Sequence, residues 1–152
     1  MAPLFVQLVA TLAARTRLAW PAAVRVGLAV MIMFTGVSHF TSLGRDMANM
    51  IPPPLTGAMW VIYLTGLLEL AGAVGLLIPA TRRAAGLCLI VLIAAMFPAN
   101  VHAAMQGVTL GGQAATALWL RTPMQLFWLW ALWWSSVRRA KSGVTNVPLR
   151  SA

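Results

Sequence analysis

Four stretches of the chain run almost free of charge, at residues 24–43, 57–80, 84–105 and 118–137. Each is close to the roughly 20 mostly apolar residues that a helix needs to cross about 30 Å of hydrocarbon. Together they use more than half of the 152 residues and leave only short connections and two tails. No soluble domain fits in what remains. The pattern predicts an all-α fold, an integral membrane four-helix bundle over residues 24–137. A 23-residue N-terminal segment precedes it, and a basic tail over residues 138–152 follows.

The connections carry their own signals. Residues 4–14 form an eleven-residue apolar run, too short to span. A signal peptide has its cations before such a run, whereas Arg15 and Arg17 follow it. An amphipathic helix lying in the interface is the better expectation. The loop 44–56 holds Pro52, Pro53 and Pro54, which predict an extended stretch with no regular helix. Its apolar Met47, Met50 and Ile51 predict that it dips into the interface. The connection 106–117, with Gly107, Gly111 and Gly112, reads as flexible. Pro98, inside the third span, predicts a kink, because the carbonyl of Ala94 loses its helical donor.

Composition agrees with a lipid solvent. The chain is 61% hydrophobic and 9% charged, with a mean hydropathy of +0.84, against about 25% charged residues in soluble domains. One cysteine, Cys88, leaves no intrachain disulfide, CxxC pair or cysteine-based zinc site. The charge then sets orientation. Four spans put the N-terminus, the second loop and the C-terminus on one side. That side holds Arg15, Arg17, Arg25, Arg82, Arg83, Arg138, Arg139, Lys141 and Arg150, nine of the eleven cations. Only Arg45 and Arg121 lie opposite. Short cation-rich loops stay cytoplasmic, so both termini are expected there. This asymmetry accounts for the net charge of +9 without a nucleic-acid partner. Contact with the lipid bilayer and its anionic headgroups is its natural corollary.

Ionisable groups within the spans are costly and lean towards function. Glu69, the only glutamate, falls near the middle of the second span. Its helical neighbours Thr65, Gly66, Gly72 and Ala73 are all small, so this face is expected to pack against another helix and turn Glu69 into the bundle. His39 repeats the arrangement on the first span, with Thr35, Gly36 and Ser42 beside it. Asn100 and His102 on the third span, and Arg121 and Gln125 on the fourth, fall in the same external half. These six residues form the candidate polar site. A structural reading stands beside the functional one: Glu69 as a protonated pin bonded to Thr65 or His39, and His102 as an interfacial hydrogen-bonder. The tryptophans of the last span, Trp119, Trp128, Trp130, Trp133 and Trp134, read mainly as an interfacial anchor. Trp128 is the one deep enough to line a pocket.

The run TGLLELAGAVGLLIP at residues 65–79, followed by TRRAAG at 81–86, resembles the DoxX family. So do GVSHF at 36–40 and FPANV at 97–101. The resemblance covers roughly residues 25–134 and implies a four-helix protein of the bacterial inner membrane. It implies little about chemistry. Members so named include a subunit of a thiosulfate–quinone oxidoreductase, a membrane partner of redox-defence proteins and a distant animal receptor-assembly chaperone. His39, Glu69 and Asn100 match the family pattern by position, and no catalytic residue carries over.

Two functional classes remain open. In one, the bundle is a membrane-embedded binding or assembly component that holds a lipophilic small molecule, a membrane protein partner or a second copy of itself. In the other, it is the membrane subunit of a quinone-linked oxidoreductase, with His39 and Glu69 bonding the quinone and moving its proton. The chain carries no flavin or nicotinamide fingerprint and no cysteine set for iron–sulfur. Haem between His39 and His102 is disfavoured, as two histidines near a membrane surface are commonly interfacial. A metal on His39, His102 and Glu69 is disfavoured too, because Glu69 lies about two helical turns deeper.

Overall fold

A computed structural model describes residues 20–114 and 116–138. The interfacial helix expected over residues 4–14 and the tail beyond Arg138, with their cations, lie outside the described residues. What is described is helical but for one short hairpin. Helix α1 (Trp20–Ser38) is followed by a short α2 (Leu43–Asn49) and by α3 (Met59–Leu77). Helices α4 (Arg82–Ala95) and α5 (Phe97–Gln106) follow, then strands β1 (Thr109–Leu110) and β2 (Gln113–Ala114), and α6 (Leu118–Leu132). Helix α6 passes directly into a π-helical turn at Trp133–Val137.

Three helical segments, Trp20–Ser38, Met59–Leu77 and the 25-residue Arg82–Gln106, are long and apolar enough to cross a membrane. They coincide with the first three predicted spans, with shifted ends. The first stops at Ser38 rather than continuing to residue 43, because the chain turns at 39–42 through the bonds Phe40 N–H to Val37 and Thr41 N–H to Ser38. The kink expected at Pro98 is a break: α4 ends at Ala95, and α5 restarts at Phe97 with the proline in its first turn, where a missing N–H costs least.

Two connections depart from expectation. The loop 44–56 was expected to hold no helix, yet α2 occupies its first half. Prolines restrict only themselves and the residue before each, and Leu43–Asn49 contains none, so about two turns of helix form and stop short of Pro52. The connection 106–117 was expected to be flexible, and it forms the β1–β2 hairpin instead. Gly111 and Gly112 both take positive φ, 60° and 77°, as a type I′ hairpin turn requires. The Gly111 amide donates to the Asp46 carboxylate at 2.8 Å, which ties this hairpin to α2.

One apolar core joins all four long segments: Leu28, Ala29 and Ile32 from α1, Ala73 and Leu76 from α3, Leu89 from α4, and Ala131 and Leu132 from α6. A smaller cluster of Ala48, Ile51 and Ile62 seats the α2 loop on the start of α3. Small residues set the spacing between helices, as they do where van der Waals contact drives membrane packing. A methyl added at Gly72 would meet Leu89, one at Gly75 would meet Ala85, and one at Gly86 would meet Ser136 of the π turn. Large apolar side chains such as Phe34, Leu67, Val91 and Leu126 face outward. That inversion of the soluble pattern is expected of a surface wetted by lipid.

Candidate functional site

The site is built where α1 ends against the middle of α3. Gly36 and Gly66 bring the two helices close: a methyl on Gly36 would sit 3.2 Å from Cβ of Glu69, and one on Gly66 would sit 2.7 Å from Cβ of His39. Closure at these glycines seals both ionisable side chains into the seam. His39 is 2% exposed and Glu69 5%.

The hydrogen bonds around His39 define its role. Its Nδ1 lies 3.0 Å from the Ile62 carbonyl and 3.1 Å from the Thr65 hydroxyl. The carbonyl can only accept, and the Thr65 hydroxyl donates its own proton to that same carbonyl at 3.0 Å. Nδ1 is therefore the protonated nitrogen, shared between two acceptors. That fixes the ring and turns Nε2 towards Glu69, 3.8 Å from Oε2. The separation is within ion-pair range but too long for a hydrogen bond. Among the described residues Oε2 has no hydrogen-bond partner. The Thr35 hydroxyl, which donates to the Ile32 carbonyl, lies beside the same carboxyl. The arrangement is a buried acid–base couple with Nδ1–H held constant, so any proton it gains or loses sits on Nε2 or on the Glu69 carboxyl.

The α2 loop closes this end of the seam. The α-carbon of Gly44 lies against the carbonyl oxygen of His39, and the Gly57 amide donates to Ala48 at 2.9 Å. No sequence signal pointed to this cover, because it depends on Asp46 and Gly111, 65 residues apart, finding each other.

The other expected site residues form separate groupings. Asn100 Nδ2 donates to Gln125 Oε1 at 3.4 Å, and Gln125 Nε2 donates to the Ile93 carbonyl at 2.9 Å. Ile93 stands just before the break at Met96, so a side chain from α6 serves a carbonyl at the interrupted ladder, as backbone groups in an apolar medium demand. His102 Nδ1 donates to the Met50 carbonyl at 3.1 Å and pins α5 to the loop after α2. Arg121 is half-buried, with Nη1 enclosed and unpartnered. Among the described residues the ion pair is His39–Glu69 alone, and no group of three His, Cys, Asp or Glu side chains gathers in a metal-holding arrangement. Trp128 packs against the main core and meets Phe127 edge to face at 5.1 Å.

No curated protein and no solved structure matches the chain. One family model does, over residues 28–137, which reach from α1 to the end of the π turn and contain every residue of the His39–Glu69 couple. The chain belongs to this family, defined by a domain of unknown function, DUF8561.

Proposed function

We propose that the protein is a four-helix component of the bacterial inner membrane, both termini cytoplasmic, whose His39–Glu69 couple is the polar binding site of a membrane-embedded binding or assembly component. The observation that carries this reading is Glu69 Oε2, buried in the α1–α3 seam and left without a hydrogen-bond donor. An orphaned buried acceptor costs about 1–3 kcal/mol, more if charged. A lipophilic molecule bearing a hydroxyl or carbonyl relieves that cost, and the couple offers it both an acceptor and a transferable proton. Ligands of this kind include quinones, which keeps a quinone-linked subunit as the alternative. The motif resemblance to the DoxX family points to the same class of small membrane bundles.

Topology has its own support. A helical stretch runs from Leu118 through the π turn at Trp133–Val137, over the residues expected to form a fourth span, and on a four-span reading nine of eleven cations fall on one side. Reporter fusions after Gly112 and after Lys141 should therefore report opposite sides of the membrane. The same side for both overturns the four-span topology.

The site reading is tested on the protein purified gently from membranes. Organic extracts of the wild type should contain a lipophilic hydroxyl or carbonyl compound in near-stoichiometric amount. Glu69→Gln keeps the shape and should lose that compound while its thermal unfolding is little changed. Equal recovery from both proteins, or none from either, overturns the site.

A further inference from the structure

Away from the His39–Glu69 couple, the opposite end of the bundle gathers positive charge with no acidic side chain beside it among the described residues. Arg25, in the second turn of α1, donates from Nη1 to the Ser135 carbonyl in the π turn at 2.9 Å. The next residue, Ser136, packs on Gly86, one turn along α4 from Arg82, so the π turn links Arg25 to the helix start that carries Arg82. Nε of Arg82 is buried and has no hydrogen-bond partner. The sequence holds two acidic side chains, and both are engaged elsewhere: Asp46 binds the hairpin and Glu69 faces His39. Two guanidiniums at one end of the bundle, with an unpartnered donor and no carboxylate near them among the described residues, are matched by a bound anion.

Two further features describe that anion. Thr81 stands at the N-cap of α4 but turns its hydroxyl to the Gly75 carbonyl at 3.0 Å, so no side chain caps the first turn of the helix. The Arg82 amide at the start of α4 already donates to the Ile78 carbonyl at 2.9 Å, so what this end adds to the two arginines is the positive end of a helix dipole. One turn along α1 from Arg25, an apolar groove of Ala29, Val30, Met33, Phe34 and Leu77 opens on the outer surface of the bundle. A planar guanidinium suits a phosphate diester, and the groove suits a hydrocarbon chain. The geometry points to a specific anionic-phospholipid site, its phosphate between Arg25, Arg82 and the start of α4 and one acyl chain along the α1 groove. This site rests on the membrane reading and not on the His39–Glu69 couple.

The experiment follows thermal unfolding of the full chain in detergent micelles doped with phosphatidylglycerol, with phosphatidylcholine of the same chains, or with inorganic phosphate. Phosphatidylglycerol should raise the midpoint with a saturable dose dependence, and the other two should not. Equal shifts from phosphatidylcholine overturn the headgroup contact, and an equal shift from inorganic phosphate overturns the lipid as its source. Arg82→Gln should weaken the phosphatidylglycerol response about tenfold or more in apparent affinity, the scale of losing one charge-assisted hydrogen bond. Arg83→Gln removes the same charge from the exposed neighbour and should leave the response intact. A response that survives Arg82→Gln, or that falls equally with Arg83→Gln, reduces the effect to diffuse surface charge and overturns the site.

Discussion

Gly66→Leu is expected to unseat α1 from α3 and cost about 3 kcal/mol or more, the upper end of overpacking penalties. A methyl at this position already falls 2.7 Å from Cβ of His39, 3.0 Å from the Phe40 ring and 3.1 Å from the Gly36 carbonyl. Two of these three obstacles are a backbone atom and a Cβ, which cannot swing aside as a side-chain tip does. Gly66→Ala should be milder, because about 1 kcal/mol of improved helix propensity partly offsets the clash. Val74→Leu, at a half-exposed position on the same helix, should leave stability within about 0.5 kcal/mol of the parent. Thermal unfolding in detergent ranks the three. If Gly66→Leu unfolds with Val74→Leu, then Gly66 does not set the α1–α3 spacing. The displacement also moves His39 off its acceptors, so any ligand retained by the wild type should be lost from Gly66→Leu.

Removing either member of the couple should destabilise more than removing both in sequence would suggest. Glu69→Ala leaves His39 Nε2 sealed in the seam with no acidic neighbour, and His39→Ala leaves the Glu69 carboxyl with no base and strips the Ile62 carbonyl of its imidazole donor. Each single change is expected to cost about 1–3 kcal/mol through the group left unpaired and the cavity created. The double variant should fall short of the sum by about 1–2 kcal/mol, the range found for residues in direct contact. Additive losses would mean that the 3.8 Å approach of the two side chains has no energetic content. Glu69→Gln should restore most of the loss of Glu69→Ala, since the amide fills the same volume and supplies donors.

How much of this was legible beforehand depends on the kind of information. Glu69 could be placed inside the protein because Thr65, Gly66, Gly72 and Ala73 are small, and a small face on an apolar helix is where another helix approaches. His39 could be matched with it from the same kind of face. Their pairing by way of Nδ1 held on Ile62 and Thr65 could not be seen, because that depends on the turn at 39–42 ending α1 a few residues early. Gln125 was marked as a site residue, yet the bonds it makes reach Asn100 and the Ile93 carbonyl. Its partner became available through the break that Pro98 announces, at the Ile93 carbonyl and not at the Ala94 carbonyl that the proline pattern points to. Likewise α2 and the hairpin look like irregular connections in the sequence, since neither is long or periodic enough to register on its own. Contacts distant in sequence hold them: Asp46 to Gly111 ties α2 to the hairpin, and His102 to Met50 pins the end of α2 to α5.

The sequence by itself determined the apolar character of the long helices and their approximate ends. Long uncharged runs leave the backbone no way to satisfy its polar groups in lipid except helix, and that constraint is local. The asymmetry of arginine and lysine set the expected orientation for the same reason, since each loop is read separately. Only the tertiary structure decided which polar side chain meets which. That outcome turns on the rotation and axial offset of each helix relative to its neighbours, which Gly36, Gly66, Gly72 and Gly86 fix by letting particular turns come into contact. A shift of one residue rotates a helical side chain by about 100°, enough to separate His39 from Glu69 while leaving every hydrophobic run unchanged.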